Sequence, residues 1–472
     1  MTGQINASTS DPDIEGDKRQ LASAVANFFR DRKLIVVSSR VQVSTWLLDF
    51  FRLHDLPAPF MVLGDTDGVP AGTPSHQLEV VGKTVDAWLR VLEERLLSPP
   101  DSLMTALDAY DPGREALVFT PPLPQGVDRV LGRRCIGWRR PHWARYEDKT
   151  VSDSLWARAG VPTMPSVVTA LTPVGLAAAF DSCDRGEGVV ISADTTQGVH
   201  SGSNGVVRAR DRAALAIALD FLAGRCEQVR VASFVEGMSC TIHGMVFTDQ
   251  VAVYRPIEQV ILREDNTFFP LLGGNALWAP TAEDQAAARV LVQRVGERLR
   301  TEADYRGSFG VDAIFTADGF QPIEVNARMG GFIFNGGPAV GVPLDLIHAM
   351  VAEGEETGID PSALERVMVD GFDRSTQTRL NLPLVQQYLE RSRALSLRHI
   401  GSGYRTTDPE GPYDAVVHQL STPVGSRLML EFPARPLYSK VALGPFAIAA
   451  IKAATRAWQL PTVEYSYSTV LR

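Results

Sequence analysis

Residues 311–331 read VDAIFTADGFQPIEVNARMGG, and this stretch decides the fold. Two runs of alternating apolar residues flank an Asp-Gly pair, a pattern typical of a β-hairpin with a tight turn. We centre the turn on Asp318 and read the strand pairing outward from it. The resulting register predicts three opposed pairs: Phe315 with Gln321, Ile314 with Pro322, and Asp312 with Glu324.

The predicted hairpin gathers unlike polar groups on one face. Asp312 and Glu324 lie opposite each other, and Asn326 follows one pleat further along, because alternate strand residues face the same way. Opposed like charges cost up to about 1 kcal/mol, so a positive group should offset them. Two carboxylates and an amide oxygen on a rigid platform suit a hard divalent cation such as Mg²⁺. Arg328 could then contact phosphates or a developing oxyanion.

A second interpretation of the same residues stays open. The hairpin face could be solvated, with Glu324 and Arg328 forming a surface ion pair and no metal bound. Gly330 and Gly331, which follow the strand, would allow close approach of the backbone to a substrate, or they could form a plain tight turn.

The composition is that of an ordinary globular protein. The 472 residues are 45% hydrophobic and 21% charged, which suits a sizeable core and roughly two to four structural units. The net charge of −9 argues against general nucleic-acid or membrane affinity. No apolar run reaches membrane-spanning length, and the N-terminus lacks a signal-peptide core. Four scattered cysteines suit buried thiols in a reducing compartment, so we expect a cytoplasmic protein with no nucleic-acid and no membrane partner. The cysteines are Cys135, Cys183, Cys226 and Cys240.

The N-terminal part begins with a polar stretch, residues 1–17, which we expect to be a disordered tail. Strand, helix and strand patterns then predict a parallel α/β unit over about residues 30–135. Thr150, with Asp153 three residues later, has the spacing of a helix capping box, and Gly160 would end that helix.

The rest of the chain alternates strands and helices. Two strands surround a Gly/Ser/Thr-rich loop at 188–209, a strand–turn–strand pattern covers 229–247, and Thr281 with Asp284 opens a helix. We expect further helices around 378–395 and near 446–458. The last third of the chain could cap a cleft, shape an acceptor pocket or form the surface of a homodimer.

Three segments resemble parts of the ATP-grasp superfamily, in the right order over roughly residues 33–350. The hairpin is similar to the metal-binding hairpin of that family. The segment EDKTVSDSLWARAGVPTMP (147–165) resembles the start of its ATP-binding region, where Lys149 matches a phosphate-contacting lysine. VASFVEG (231–237) resembles the hinge whose backbone grips adenine, which implies Ser233, Phe234, Val235 and Glu236 as nucleotide-binding residues.

The resemblance implies an α/β (α+β) ATP-grasp fold. Its parts would be the tail at 1–17, an N-terminal preATP-grasp domain at 18–146, a small lobe with the hinge at 147–235, a large lobe with the metal hairpin at 236–375, and a C-terminal extension at 376–472. The implied cofactors are ATP and Mg²⁺, with Mn²⁺ as an alternative metal. The implied ligands of the metal are Asp312, Glu324 and Asn326. Gly202 and Gly205 would wrap phosphates, while Arg328 and Glu324 would act in catalysis.

The resemblance also implies a reaction. ATP would phosphorylate a carboxylate and release ADP, and an amine would then displace phosphate from the acyl phosphate. The partners would be a small-molecule carboxylate and an amine such as an amino acid or peptide. The segments CTIHGMVF (240–247) and YRPIE (254–258) and the long C-terminal extension resemble peptide and amino-acid ligases of natural-product pathways such as the pheganomycin peptide ligase group, which implies a role in antibiotic biosynthesis. Two alternatives are a carboxylate–thiol ligase that loads an acyl carrier protein, and a catalytically degenerate nucleotide-binding module.

Two departures from the family pattern favour the degenerate alternative. The strand VVISADTT has Ile191 and Ser192 where the family commonly carries a second lysine, and Ala232 occupies a hinge position where an acid often contacts adenine. Candidates to replace the missing charge are His200, Arg208 and Arg255.

The segment GRRCIGWRRPHWARY (132–146) interleaves arginines with aromatic residues, as nucleic-acid binders do. The acidic net charge favours a segment that joins two lobes, and one of its arginines could instead hold a substrate carboxylate. His243 could approach the ribose or the metal, or it could be a satisfied core histidine.

Overall fold

A computed structural model of the chain describes residues 11–40, 45–80, 85–120, 126–197, 203–331, 340–354, 356–384, 392–422 and 425–468. Over these ranges, no helix combines the length and the apolarity that a bilayer crossing requires.

The N-terminal unit is a parallel α/β sheet, as the sequence predicts. Its elements are α1 (Pro12–Phe29), β1 (Leu34–Arg40), α2 (Thr45–Leu53), β2 (Phe60–Asp65), β3 (Ser75–Gln77), α3 (Val85–Leu97), α4 (Asp101–Tyr110) and β4 (Leu117–Phe119). The strand order is β3-β2-β1-β4, and every neighbouring pair is parallel. On β1, Leu34 and Val36 pack into one hydrophobic cluster while Ile35 and Val37 pack into another, so both faces of the sheet are covered.

The expected N-terminal tail is partly wrong. Helix α1 begins at Pro12, and the side chain of Asp11 caps it by accepting a hydrogen bond from the backbone N–H of Asp13. Ile14 is buried against the core, and Asp17 forms an ion pair with Arg366 at 2.8 Å. The prediction missed the helix because its first turn is polar and has only one core residue; residues 1–10 lie outside the described ranges.

A short connecting segment follows, with β5 (Arg129–Val130), β6 (Arg133–Arg134), α5 (Pro141–Ala144), a 3₁₀ turn at Lys149–Val151 and α6 (Ser152–Ala159). Its arginines bind acids of the surrounding lobes. Arg133 is fully buried and contacts Asp111 at 2.8 Å, while Arg134 reaches Glu353 at 2.7 Å. These contacts agree with a segment that joins two lobes.

The small lobe is an antiparallel sheet in the order β7-β10-β8-β9. Its elements are β7 (Ser166–Ala170), α7 (Pro173–Cys183), β8 (Val189–Ala193), β9 (Val206–Ala209), α8 (Leu215–Leu222) and β10 (Gln228–Ser233). The two strands predicted around the Gly/Ser/Thr-rich loop are therefore present as β8 and β9. The two helices cover one face of the sheet, where they form a separate hydrophobic cluster.

The central sheet carries the hairpin. Its strands, and the helix packed on it, are β11 (Met238–Val246), β12 (Val251–Val253), β13 (Ile257–Ile261), β15 (Leu271–Asn275), α9 (Ala282–Ala303), β16 (Gly307–Thr316) and β17 (Gly319–Asn326); β14 (Arg263–Glu264) belongs to a separate two-stranded sheet. The main strand order is β15-β13-β11-β16-β17, with β12 paired to β11. Thr281 caps α9 by accepting from the Asp284 N–H, as its spacing predicts.

The C-terminal part contains α10 (Leu344–Ala352), α11 (Pro361–Asp373), β18 (Gln377–Leu384), β19 (Arg393–Ile400), β20 (Gly403–Thr406), β21 (Ala415–Thr422), β22 (Gly425–Pro433), α12 (Gly444–Trp458) and β23 (Tyr465–Ser466). The helix near 446–458 is confirmed as α12. The helix expected around 378–395 is wrong, because residues 378–384 and 393–395 are strands of a five-stranded sheet. Leu380 and Leu382 are buried and alternate with Arg379 and Asn381, which is a strand period.

A buried carboxylate fixes this C-terminal part to the central sheet. Glu258 on β13 is completely buried and accepts four hydrogen bonds. The donors are the Asn275 side chain (2.7 Å), the backbone N–H groups of Leu443 (2.8 Å) and Gly444 (3.2 Å), and the Tyr467 hydroxyl (2.7 Å). Because two of these N–H groups lie at the start of α12, the carboxylate also faces the positive end of that helix.

Candidate active site

The β16–β17 hairpin has the predicted opposition of acids. Asp312 pairs with Glu324 in the strand register. Nearer the turn the prediction is wrong by one residue, because Ile314 pairs with Gln321 and Phe315 with Phe320. A β-bulge after Asp312 absorbs the difference. It lies beside Pro322, which cannot donate a ladder hydrogen bond, and bulges are where sheets tolerate proline.

The two acids are held by different partners. Lys149 Nζ lies 2.5 Å from Glu324 Oε2, and both side chains are about four-fifths buried. Asp312 is 8% exposed, and its Oδ2 accepts from Asn326 Nδ2 at 3.1 Å. The polar side chains of Thr241 and Gln259 lie beside Asp312 and oppose the rise in its pKa. The acids are therefore enclosed, and the interpretation as a solvated hairpin face is wrong.

The pKa values of Asp312, Glu324 and Lys149 are shifted by burial and by the charges of their neighbours. Burial, and then the nearby charge of Glu324, raise the pKa of Asp312 to about 7. Burial also acts to raise the pKa of Glu324, but the ion pair with Lys149 outweighs it and holds that pKa below its usual value. Burial opposes the charge on Lys149, yet the two carboxylates raise the pKa of its ammonium above the usual value. One ammonium thus compensates a pair of acids that repel each other.

Arg328 does not form the surface ion pair with Glu324 that the second interpretation required. Its Nε donates to Glu147 Oε2 at 3.1 Å, and its Nη2 donates to Asn326 Oδ1 at 3.1 Å. Glu147 is 8% exposed and also contacts Arg139 at 2.7 Å, while burial raises its pKa despite these two arginines. Glu147 is a site residue that the sequence analysis did not assign; its position two residues before Lys149 was the available signal.

All four polar hairpin residues and Lys149 line one cleft of about 1280 Å³. Strands β8 and β10 of the small lobe lie on one side of it, and β11, β13 and β15 lie on another. Alternate residues of β18 also line the cleft, so the C-terminal sheet bounds the same space. These β18 residues are Gln377, Arg379, Asn381 and Pro383, and Thr378 between the first two lines the cleft as well.

The donor set can be tested for a fit to a divalent cation. Within the described ranges, no group of three or more His, Cys, Asp or Glu side chains is placed to hold a metal ion. The hairpin offers two carboxylates, Asp312 and Glu324, and the amide of Asn326. Such a set fits Mg²⁺, which usually takes one or two carboxylates and completes its shell with water and phosphate oxygens. The raised pKa of Asp312 is what a cation between the acids would relieve.

The predicted hinge residues divide into two groups. Ser233, Phe234 and Val235 line the cleft, whereas Glu236 forms a two-point ion pair with Arg263 (2.9 Å each). The guanidinium of Arg208 lies 3.4 Å from the centre of the Phe234 ring and stacks on it. The Ser233 hydroxyl donates to the Cys183 carbonyl at 2.6 Å. The side chains of Arg208 and Arg263 and the carbonyl of Cys183 thus hold the hinge residues in place.

The three residues considered as replacements for the missing second lysine either lie away from the cleft or fall outside the described ranges. Arg208 and Arg255 do not line the cleft; Arg255 is buried and contacts Asp373 at 2.7 Å and three backbone carbonyls. His200 and Gly202 lie outside the described residues. Gly205 is described but does not line the cleft, and its carbonyl accepts from the Ala193 N–H.

His243 lines the cleft and is 4% exposed. Burial lowers its pKa to about 4, so the imidazole is neutral at physiological pH. A Cβ placed on Gly330 would lie 2.6 Å from the ring, so the glycine allows close packing onto His243. Gly331 has no such neighbour within 4 Å.

Comparison with known proteins gives the fold. No protein-family model matches the chain, and no curated protein matches it. An N5-carboxyaminoimidazole ribonucleotide synthetase in its ADP complex superposes with a TM-score of 0.51 and 10% identity, covering 91% of this chain and 98% of that one. The biotin carboxylase domain of a 2-oxoglutarate carboxylase from Hydrogenobacter thermophilus gives 0.51 and 15%, covering 93% and 91%. The chain has the ATP-grasp fold. An N5-carboxyaminoimidazole synthase from Aspergillus clavatus gives 0.50 and 14%, covering 90% and 99%.

This fold confirms the fold class that the resemblance of the three segments implied. The described residues form a mixed α/β structure with a parallel N-terminal sheet and several antiparallel sheets. At 10–15% identity the likeness extends to the fold alone. Residue roles therefore have to come from the geometry of the cleft.

Proposed function

We propose that the protein is an ATP-dependent ligase that activates a carboxylate as an acyl phosphate, releases ADP and joins the acyl group to an amine. The observation that carries the proposal is the opposition of Asp312 and Glu324 inside a cleft, with Lys149 as their common counter-charge. Structures of this fold crystallised with ADP, one of them with its magnesium salt, support a nucleotide in the cleft.

The hairpin would hold the cofactor. Asp312, Glu324 and Asn326 would bind Mg²⁺ or Mn²⁺, which when present shields the charge of the phosphate oxygens. Asn326 would have to turn its amide oxygen toward the ion, because that oxygen now accepts from Arg328. The enclosed position of the acids strengthens their interaction with a cation, since the local dielectric is low.

The remaining cleft residues would position the reacting groups. Lys149 would exchange its contact with Glu324 for the phosphates of the nucleotide once a divalent ion compensates the acids. Arg328 would stabilise negative charge that develops on the transferring phosphoryl group or on the oxyanion of the tetrahedral intermediate. Glu147 lies behind Arg328 and fixes the direction of its guanidinium. Ser233, Phe234 and Val235 would contact the adenine.

The finer assignment concerns the acceptor. We propose an amino acid or peptide as the amine, and synthesis of a natural product as in the pheganomycin peptide ligase group. The polar face of β18 lines the cleft, so the C-terminal part would shape the acceptor pocket rather than act as a remote appendage. A thiol acceptor on an acyl carrier protein is the second candidate, because activation of the acid would be identical.

A hydroxylamine trap tests the proposal. The protein is incubated with Mg-ATP, a panel of carboxylic acids and hydroxylamine, and hydroxamate and nucleotide products are measured. Hydroxamate together with ADP supports acyl phosphate formation. AMP with pyrophosphate indicates an adenylate and contradicts it. Replacing hydroxylamine by amines or by carrier-protein thiols then separates the two acceptor classes, and ATP binding without turnover of any acid favours the degenerate module.

A further inference from the structure

A second cation of the cleft lies on β10. Arg230 lines the cleft and is 4% exposed. Its Nε and Nη2 donate to the two carboxylate oxygens of Asp153 at 2.9 and 2.7 Å. Among the described residues its third nitrogen, Nη1, has no hydrogen-bond partner. The guanidinium is thus held in one direction while a donor remains available.

Asp153 is itself fixed by its surroundings. The Ser166 hydroxyl donates to it at 2.7 Å, and the bonds from Arg230 help to keep its pKa below the usual value although burial opposes this. The capping box expected for Thr150 and Asp153 does not form. Asp148 takes the capping role instead, since it accepts from the Thr150 N–H at 2.9 Å. Asp153 is thereby left to orient Arg230.

The segment that begins at Lys149 therefore supplies one positively charged side chain of the cleft and orients another. Lys149 itself reaches Glu324, and Asp153, four residues later, aims Arg230. Asp148 connects the segment to the end of β8, because it also accepts from the Thr195 N–H and hydroxyl. Arg230 pairs with Ser192 in the β8–β10 register, and both residues line the cleft. The small-lobe wall of the cleft thus combines a guanidinium with hydroxyl groups.

A purely structural role is the alternative. The Arg230–Asp153 pair could only brace α6 against β10. A buried ion pair is a poor brace, however, because desolvation offsets most of its attraction. A brace also does not require the guanidinium to lie on the cleft wall. An arginine that lines a cleft, with two nitrogens on a carboxylate and the third without a partner among the described residues, is suited to an oxyanion such as phosphate.

We propose that Arg230, oriented by Asp153, binds a phosphate group of the nucleotide from the side opposite the metal hairpin. Ser192 on β8 occupies a position where a lysine was expected. Arg230, which faces it on the neighbouring strand β10, would supply the positive charge instead. The inference rests on the nucleotide of the proposed function, but not on its ligase chemistry.

Calorimetric titration with ATP, ADP, AMP and adenosine in MgCl₂ tests the assignment on the full chain. Arg230→Met should weaken binding of the polyphosphate nucleotides by about ten- to a hundredfold, the range for loss of a charged hydrogen bond. Binding of adenosine should change by less than about twofold. Ser192→Lys in the Arg230→Met background should restore much of the ATP affinity, because it returns a cation to the facing position.

A matched pair of variants separates phosphate binding from bracing. Arg230→Met leaves Asp153 unpaired, whereas Arg230→Met with Asp153→Leu removes both charges, and thermal unfolding reports the stability of each. A selective loss for ATP in the double variant supports the proposal even if the single variant unfolds. Equal losses for ATP and adenosine, or no loss, overturn it. Selective loss in a protein that makes no hydroxamate leaves the phosphate site standing and contradicts only the ligase.

Discussion

Lys149 Nζ and Glu324 Oε2 lie 2.5 Å apart, so the lysine contacts a carboxylate oxygen that a divalent cation between the two acids would also use. Asp312, opposite Glu324, has a pKa raised to about 7 because burial and its neighbour disfavour a second negative charge. A lysine and a divalent ion therefore compete for the same carboxylate. This competition makes the response to metal alone informative.

Lys149→Met should increase the stabilisation that Mg²⁺ gives in the absence of nucleotide. Without the ammonium, the acids lack their counter-charge and should bind the ion more tightly, although ADP release is lost. The measurement is the melting temperature across a MgCl₂ titration, with NaCl added to equal ionic strength. Lys452→Met, an exposed lysine on α12, is the control and should behave as wild type. A smaller Mg²⁺ response in Lys149→Met than in wild type would contradict the proposed competition.

Asp312→Asn and Glu324→Gln should each abolish ADP release while the protein remains folded. Asp312→Asn should melt at or above the wild-type temperature, because it removes a poorly accommodated charge from the pair. Glu324→Gln should melt at a slightly lower temperature than wild type, because it removes the carboxylate that pairs with Lys149. A coupled ADP assay and circular dichroism on both variants check this. Wild-type turnover in both would refute the site.

The sequence predicts those contacts that are set by the pairing of two strands joined by a short turn. Asp312 and Glu324 are joined by a short turn, so alternation of side chains is enough to place them opposite each other. Glu147 with Arg328, and Asp153 with Arg230, are separated by 181 and 77 residues. Such pairs form only when distant parts of the chain fold together, and no spacing in a single sequence predicts them.

The errors have local causes too. Around 378–384 the apolar residues alternate, but a helical pattern in the following residues suggested one long helix. At the hairpin, one bulged residue beside Pro322 shifts the register near the turn and leaves the acid pair in place. The predicted pairing of Asp312 with Glu324 is therefore correct although the predicted register at the turn is not. Packing of the core residues, rather than the turn, fixes the strand register at these two acids.

Glu258→Gln should destabilise the attachment of the C-terminal part. Each oxygen of Glu258 accepts two hydrogen bonds, and an amide would present N–H groups to donors at one of these positions. Unsatisfied buried groups cost about 1–3 kcal/mol each, so the melting temperature should fall by several degrees. Limited proteolysis should cut near α12 earlier than in wild type. Glu464→Gln, at an exposed position, should change neither result, and an unchanged Glu258→Gln protein would show that the four bonds are dispensable.

His348 should contribute to acid unfolding. Its Nδ1 accepts from the Ser308 N–H at 2.9 Å, and burial holds its pKa at about 4. Between this value and about 6.5 the unfolded chain binds a proton that the folded chain does not, so stability is lost as the pH falls through that window. The loss for this histidine is at most on the order of 3 kcal/mol, and less because the ring is partly accessible. Urea unfolding at several pH values should show a shallower acid slope for His348→Gln, while the exposed His142→Gln control keeps the wild-type slope; equal slopes in all three proteins would exclude His348 as the source.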